Sequence, residues 1–136
     1  MSLEIAKRDV EGIVILALDG RLVAGHTDPL QSETSGLLKG GSNRLILDFS
    51  SVPFIDSSGL GVLVAIYSEF KNAGGAAKLL HLSERHVQLL VLTKLSILFE
   101  TYDDERIAID SFFPDRARRT FDILDFVRSQ EGETEQ

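Results

Sequence analysis

Two adjacent hydroxyls follow an aspartate and precede two glycines in the segment Asp56-Ser57-Ser58-Gly59-Leu60-Gly61. An apolar run at 44–49 comes before it, and over 57–72 the residues Leu60, Leu63, Val64, Tyr67 and Phe70 recur at spacings of three and four, the period of a helix with one buried face. The hydroxyls therefore fall in the first turn of a helix that follows a buried strand. Unpaired backbone N–H groups and the positive end of the helix dipole favour an anion there. Glycine at 59 and 61 would let the backbone of another protein come close. The same residues would also serve a purely architectural purpose, with Asp56 or Ser57 capping the helix.

The segment lacks the Gly-x-Ser-x-Gly nucleophile elbow of hydrolases. It is not a nucleotide phosphate loop either, because no Lys follows Gly61. His26, His81 and His86 are not at metal-ligand spacing, and the chain has no Cys, which removes thiol catalysis, Cys-ligated metal sites and disulfides. The expectation is a protein with no catalytic residues, no metal and no cofactor. With 14 Lys+Arg against 21 Asp+Glu the net charge is −7, and the basic residues form no stripe that could neutralise phosphates, so nucleic acid is not expected as a direct partner. The start of the chain does not resemble a secretory signal. No apolar run approaches the ~20 residues of a membrane span, so a cytoplasmic protein without membrane insertion is expected.

A sequence of 136 residues supports one main core. Strands are expected at 3–8 and 12–19, joined as a hairpin, and at 44–49, 77–82 and 97–102. Helices are expected at 30–39, capped by Thr27 or Asp28 with Pro29 in the first turn, at 57–72, after Ser83 with Val87, Leu90 and Val91 sharing a face, and at 104–112. Gly40-Gly41 and Gly74-Gly75 mark helix ends. Strands alternating with helices after an opening hairpin give an α/β fold with mostly parallel pairing. Beyond Pro114, residues 115–128 carry Ala117, Phe121, Leu124 and Val127 on one helical face. This helix could pack on its own sheet or serve for docking or homodimer formation. A polar tail follows at 130–136.

The runs Leu45-Ile46-Leu47-Asp48-Phe49, Phe54-Ile55-Asp56-Ser57-Ser58-Gly59-Leu60-Gly61, Gly74-Gly75 and Leu92-Thr93-Lys94-Leu95, with Phe99 to Glu105 after them, together resemble the STAS domain in its anti-sigma factor antagonist (anti-anti-sigma) branch. The resemblance covers about residues 3–113, and implies a STAS fold: a mixed four- to five-stranded sheet with alternating helices packed on it, here with an extra C-terminal helix. The corresponding division is a STAS domain at 1–113, an amphipathic helix at 114–129 and a flexible tail at 130–136. It also implies a switch. Ser57 would be phosphorylated by a partner that is both anti-sigma factor and serine kinase of the GHKL type, and a PP2C-like phosphatase would reset it. Asp56, Ser57, Ser58, Gly59, Leu60 and Gly61 would form the partner surface. Other STAS proteins suggest further readings: a structural subunit of a stress-signalling scaffold or a transporter complex, or a sensor with an apolar pocket.

Overall fold

The computed structural model describes residues 3–115. The chain opens with strands β1 (Glu4–Val10) and β2 (Ile13–Asp19), followed by helix α1 (Asp28–Lys39), β3 (Arg44–Ser51), α2 (Ser57–Asn72), β4 (Ala76–Leu80), α3 (Glu84–Leu92), β5 (Thr101–Tyr102) and α4 (Glu105–Asp110). The five strands lie in one sheet in the order β1-β2-β3-β4-β5. β1 runs antiparallel to β2, and each later pairing is parallel. This is the mixed sheet with alternating helices that the sequence pattern implies. The helix expected over 115–128 and the polar tail lie, from residue 116 on, outside the described residues.

The unbroken apolar run of β2 has a direct cause, since both faces of the strand are covered. Val14, Leu16 and Leu18 pack in one cluster with Leu30 and Leu37 of α1, Leu63 and Phe70 of α2 and Leu90 of α3. Ile13 and Ile15 point the other way, into a smaller cluster with Ile46, Leu80 and Ala108 and Ile109 of α4. Three helices therefore cover one face and the short α4 covers part of the other. Charged pairs fasten α4 to the hairpin: Arg8 bonds Glu105, and Arg106 reaches Glu11 at 2.7 Å. Beneath it the buried Lys78 donates to Ser111 Oγ at 2.9 Å and lies 4.2 Å from the Phe112 ring centroid, fixing the chain as it leaves α4.

The structure corrects several local expectations. Only Thr101 and Tyr102 of the expected 97–102 strand pair with β4. Ile97 is 87% exposed, while Phe99 drops into the core and meets Tyr67 edge-on at 5.5 Å, so the apolar residues before β5 belong to a loop that plugs the core. In α3, Val87 and Val91 face outward, and the buried positions are His86 and Leu90. The cause is the imidazole of His86, which accepts the Ser83 N–H in a capping box and packs edge-on against Phe49. Thr27 occupies the cap position of α1 but makes no side-chain cap bond.

Tight packing where β4 begins gives a direct test. A Cβ on Gly75 would stand 1.8 Å from the Asn43 carbonyl oxygen, whereas one on Gly36, inside α1, would meet no atom within 4 Å. Gly75→Ala should lower stability by roughly 2–3 kcal/mol, and Gly36→Ala should raise it by about 0.5–1 kcal/mol, both read from urea unfolding curves.

Candidate functional site

The turn singled out by its hydroxyls lies beyond the carboxyl end of β3. It is held by a second segment, the chain leaving β2. Gly20 N–H donates to Ser51 O at 3.1 Å, Leu22 N–H to Phe54 O at 3.0 Å, and Asp56 N–H to Leu22 O at 3.2 Å. Leu22 and Ile55 form a parallel bridge. The residues after β2 are thus zipped to the β3–α2 connection, beyond Gly20, where the sequence pattern ends the second strand.

Asp56 closes this zipper. Its backbone is extended, with φ −104° and ψ −174°, the conformation of a helix cap. Oδ1 accepts the Gly59 N–H at 2.9 Å and Oδ2 accepts the Ala24 N–H at 3.0 Å. One carboxylate therefore both starts α2 and ties it to the neighbouring loop. The Ala24 N–H, followed by the Gly59 N–H, holds the Asp56 carboxyl below the usual carboxylate range because both bonds favour the charged form. Of the two cap candidates, Asp56 fills the position.

Ser57 and Ser58 are the first two residues of the 16-residue helix and are exposed. No acidic side chain lies in that first turn. Gly59 is buried, and a Cβ there would stand 2.2 Å from the Leu22 carbonyl oxygen and 3.0 Å from Ile55 Cγ2. The need for glycine at 59 is therefore internal, since it lets the zipped loop close on the helix. Gly61 is exposed, and a Cβ on it would meet nothing within 4 Å. Leu60 is 7% exposed and belongs to the main core. Thus Ser57, Ser58 and Gly61 form the accessible part of the six-residue segment, Asp56 is half-buried, and Gly59 and Leu60 support them from below.

Beside the turn runs a groove of about 380 Å³ lined by Phe54, Ile55, Asp56, Arg85, Leu89 and Leu92, among others. Phe54 heads the run that carries the resemblance, where an apolar residue before a helix reads as ordinary core, and Arg85 is not marked by the sequence pattern, because an arginine in a helix reads as ordinary surface. The three histidines do not converge. His81 Nδ1 lies 3.0 Å from Asp48 Oδ1, His86 is locked in the α3 cap, and His26 sits in the loop after β2. Among the described residues no group of three or more His, Asp or Glu could hold a metal ion, and no helix is long and apolar enough to cross a membrane.

Comparison with known proteins adds an independent finding. A family model for the STAS domain matches residues 4–108. An anti-sigma F factor antagonist of Paenibacillus polymyxa is 26% identical over 106 residues, covering 77% of this chain and 91% of that protein. The anti-sigma-B factor antagonist of Bacillus subtilis is 27% identical over 100 residues, covering 74% and 91%. Among solved structures, the phosphorylated form of the Bacillus cell fate determinant SpoIIAA aligns with a TM-score of 0.63 at 22% identity, over 81% of this chain and 98% of its own.

The clamp predicts how the turn responds to pH and to substitution. Asp56→Ala should lower the unfolding midpoint at neutral pH. Because the folded-state pKa is depressed, the advantage of wild type is complete above the ordinary carboxylate pKa of about 4 and is lost as pH falls through the lower folded value; denaturation curves at pH 7 and pH 3 should show the gap closing. Gly59→Ala should cost roughly 3 kcal/mol at both pH values, since the clash is with backbone.

Proposed function

The chain belongs to the STAS domain family, and from that premise we propose that it is an anti-sigma factor antagonist that acts by partner switching. The unmodified form binds an anti-sigma factor that is also a serine kinase of the GHKL type, and the sigma factor is released. Phosphorylation of Ser57 by that kinase ends the interaction, and a PP2C-like phosphatase restores it. The observation that carries this reading is the division of labour at the start of α2. Asp56 takes the cap, and the neighbouring Ser57 presents an exposed hydroxyl at the helix N-terminus. The names of the two antagonists above support the same assignment.

The chemistry asks little of this chain. The Ser57 oxygen attacks the γ-phosphorus of ATP held by the kinase, the bond from that phosphorus to the bridging oxygen breaks, ADP leaves, and the serine proton passes to a base on the kinase. Phosphoserine then adds about −1.5 to −2 charges at a helix end whose dipole stabilises an anion by about 0.3–1 kcal/mol. The fold tolerates the product, because Ser57 lies outside both core clusters. An interface closed over it does not, since an unpaired charge buried against a partner costs several kcal/mol. Each ~1.4 kcal/mol is tenfold in affinity. Ser58 and Gly61 complete the accessible contact surface, and Asp56, Gly59 and Leu60 hold it in shape.

Incubation of the chain with its kinase and ATP, followed by peptide mass spectrometry, tests the assignment. Wild type and Ser58→Ala should each gain one phosphate on Ser57, and Ser57→Ala should gain none. Continued labelling of Ser57→Ala would move the acceptor elsewhere and sink the assignment.

A further inference from the structure

Where a capping box closes the start of a helix, a glutamate or glutamine ordinarily stands three positions after the serine or threonine cap and reaches back to the cap N–H. In α3 that position holds His86. Ser83 Oγ accepts the His86 N–H at 3.2 Å, and His86 Nδ1 accepts the Ser83 N–H at 3.2 Å. These bonds fix the tautomer. A ring nitrogen that accepts carries no proton, so the single proton of the neutral imidazole stands on Nε2.

The surroundings of the ring oppose a second proton. His86 is 2% exposed and meets Phe49 of β3 edge-on, with 6.1 Å between ring centroids. Burial, with Arg85 adding to it, holds the imidazole pKa below its ordinary 6.5 because both disfavour the cation. The Val52 backbone works against that shift, but Nε2 makes no full hydrogen bond. Charged groups approach from two elements. Glu84 and Arg85 precede the ring on α3, and Asp56 of the β3–α2 connection lines the same groove. The Asp56 carboxyl is held below the usual carboxylate range, so its charge stays constant while an imidazole titrates. β3 presents Phe49, which is uncharged.

A second proton has one place to go, Nδ1, and there it would face the Ser83 N–H. Two donors cannot share a hydrogen bond. We infer that His86 is an acid-operated latch, in which protonation of Nδ1 breaks the capping box and frees the first turn of α3 from the end of β3. Because α3 supplies one wall of the groove beside Asp56, opening the latch also loosens the flank of the turn that carries Ser57. The sign follows from linkage. The folded chain takes up this proton less readily than the unfolded one, so the stability the box contributes is complete above the ordinary pKa of 6.5 and is lost as pH falls from there towards the lower folded value.

The test uses the full chain and His86→Gln, which restores the ordinary box residue and cannot titrate in this range. In wild type labelled at the histidine nitrogens, NMR at pH 7.5 should show Nδ1 unprotonated. As the ring takes its second proton, amide-exchange protection at Ser83, corrected for the intrinsic pH dependence of exchange, should be lost. In His86→Gln that protection should stay constant between pH 7.5 and pH 5, and the unfolding midpoint should fall less than that of wild type over the same interval. His26 and His81 are present in both chains, so the difference reports His86 alone. A proton on Nδ1 at pH 7.5, Ser83 protection that survives charging of the ring, or midpoints that fall in parallel would each overturn the latch. The first two are read on wild type, and decide the question even where the variant fails to fold.

Discussion

One carboxylate organises the functional end of the molecule. Asp56 accepts the N–H of Gly59 in its own helix and the N–H of Ala24 in a different segment. Those two bonds fix where α2 begins and bind it to the chain leaving β2. The backbone bonds between Leu22 and residues 54 and 56 work only because Gly59 carries no side chain where the Leu22 carbonyl approaches. Carboxylate, zipper and glycine thus form one unit, and the exposure of Ser57 and Ser58 on its surface is a consequence of that unit rather than an independent feature.

This arrangement suits a switch that operates without refolding. The core is divided by the sheet into two clusters, and Ser57, the proposed acceptor, belongs to neither. A charge placed on Ser57 acts on whatever covers the turn, while the clamp beneath it keeps its bonds. No acidic side chain lies in the first turn of α2, and the carboxylate of the preceding residue, Asp56, is already engaged by the Gly59 and Ala24 N–H groups. In the proposed switch the free energy of the modification is therefore expressed at the interface, where an unmatched charge is costly, and hardly at all in the fold.

Much of this was legible in the residues themselves. The period of three and four across 57–72 matches α2 at both ends, the paired glycines stand where α1 and α2 stop, and the two-sided apolar run of β2 is a strand covered on both faces. What stayed hidden depends on tertiary contact. A buried imidazole at His86 rotates the apolar face of α3 away from Val87 and Val91, and no periodicity counts histidine as core. Phe99 is anchored from a loop, which makes its apolar neighbours look like strand. Gly59 reads as an opening for a partner until the Leu22 carbonyl is seen against it. The groove unites Phe54 with Arg85, 31 positions later in the chain, a juxtaposition that spacing alone does not encode.

The proposed switch requires one phosphate on Ser57 to abolish an interface and leave the fold intact. Its most direct test is to prepare the chain fully phosphorylated at Ser57 and measure, on the same sample, its affinity for the anti-sigma kinase and its unfolding midpoint. Affinity should fall by about 100-fold or more relative to the unmodified chain, with the midpoint essentially unchanged. Equal affinity of the two forms, or a loss of binding that arrives together with unfolding, would contradict it.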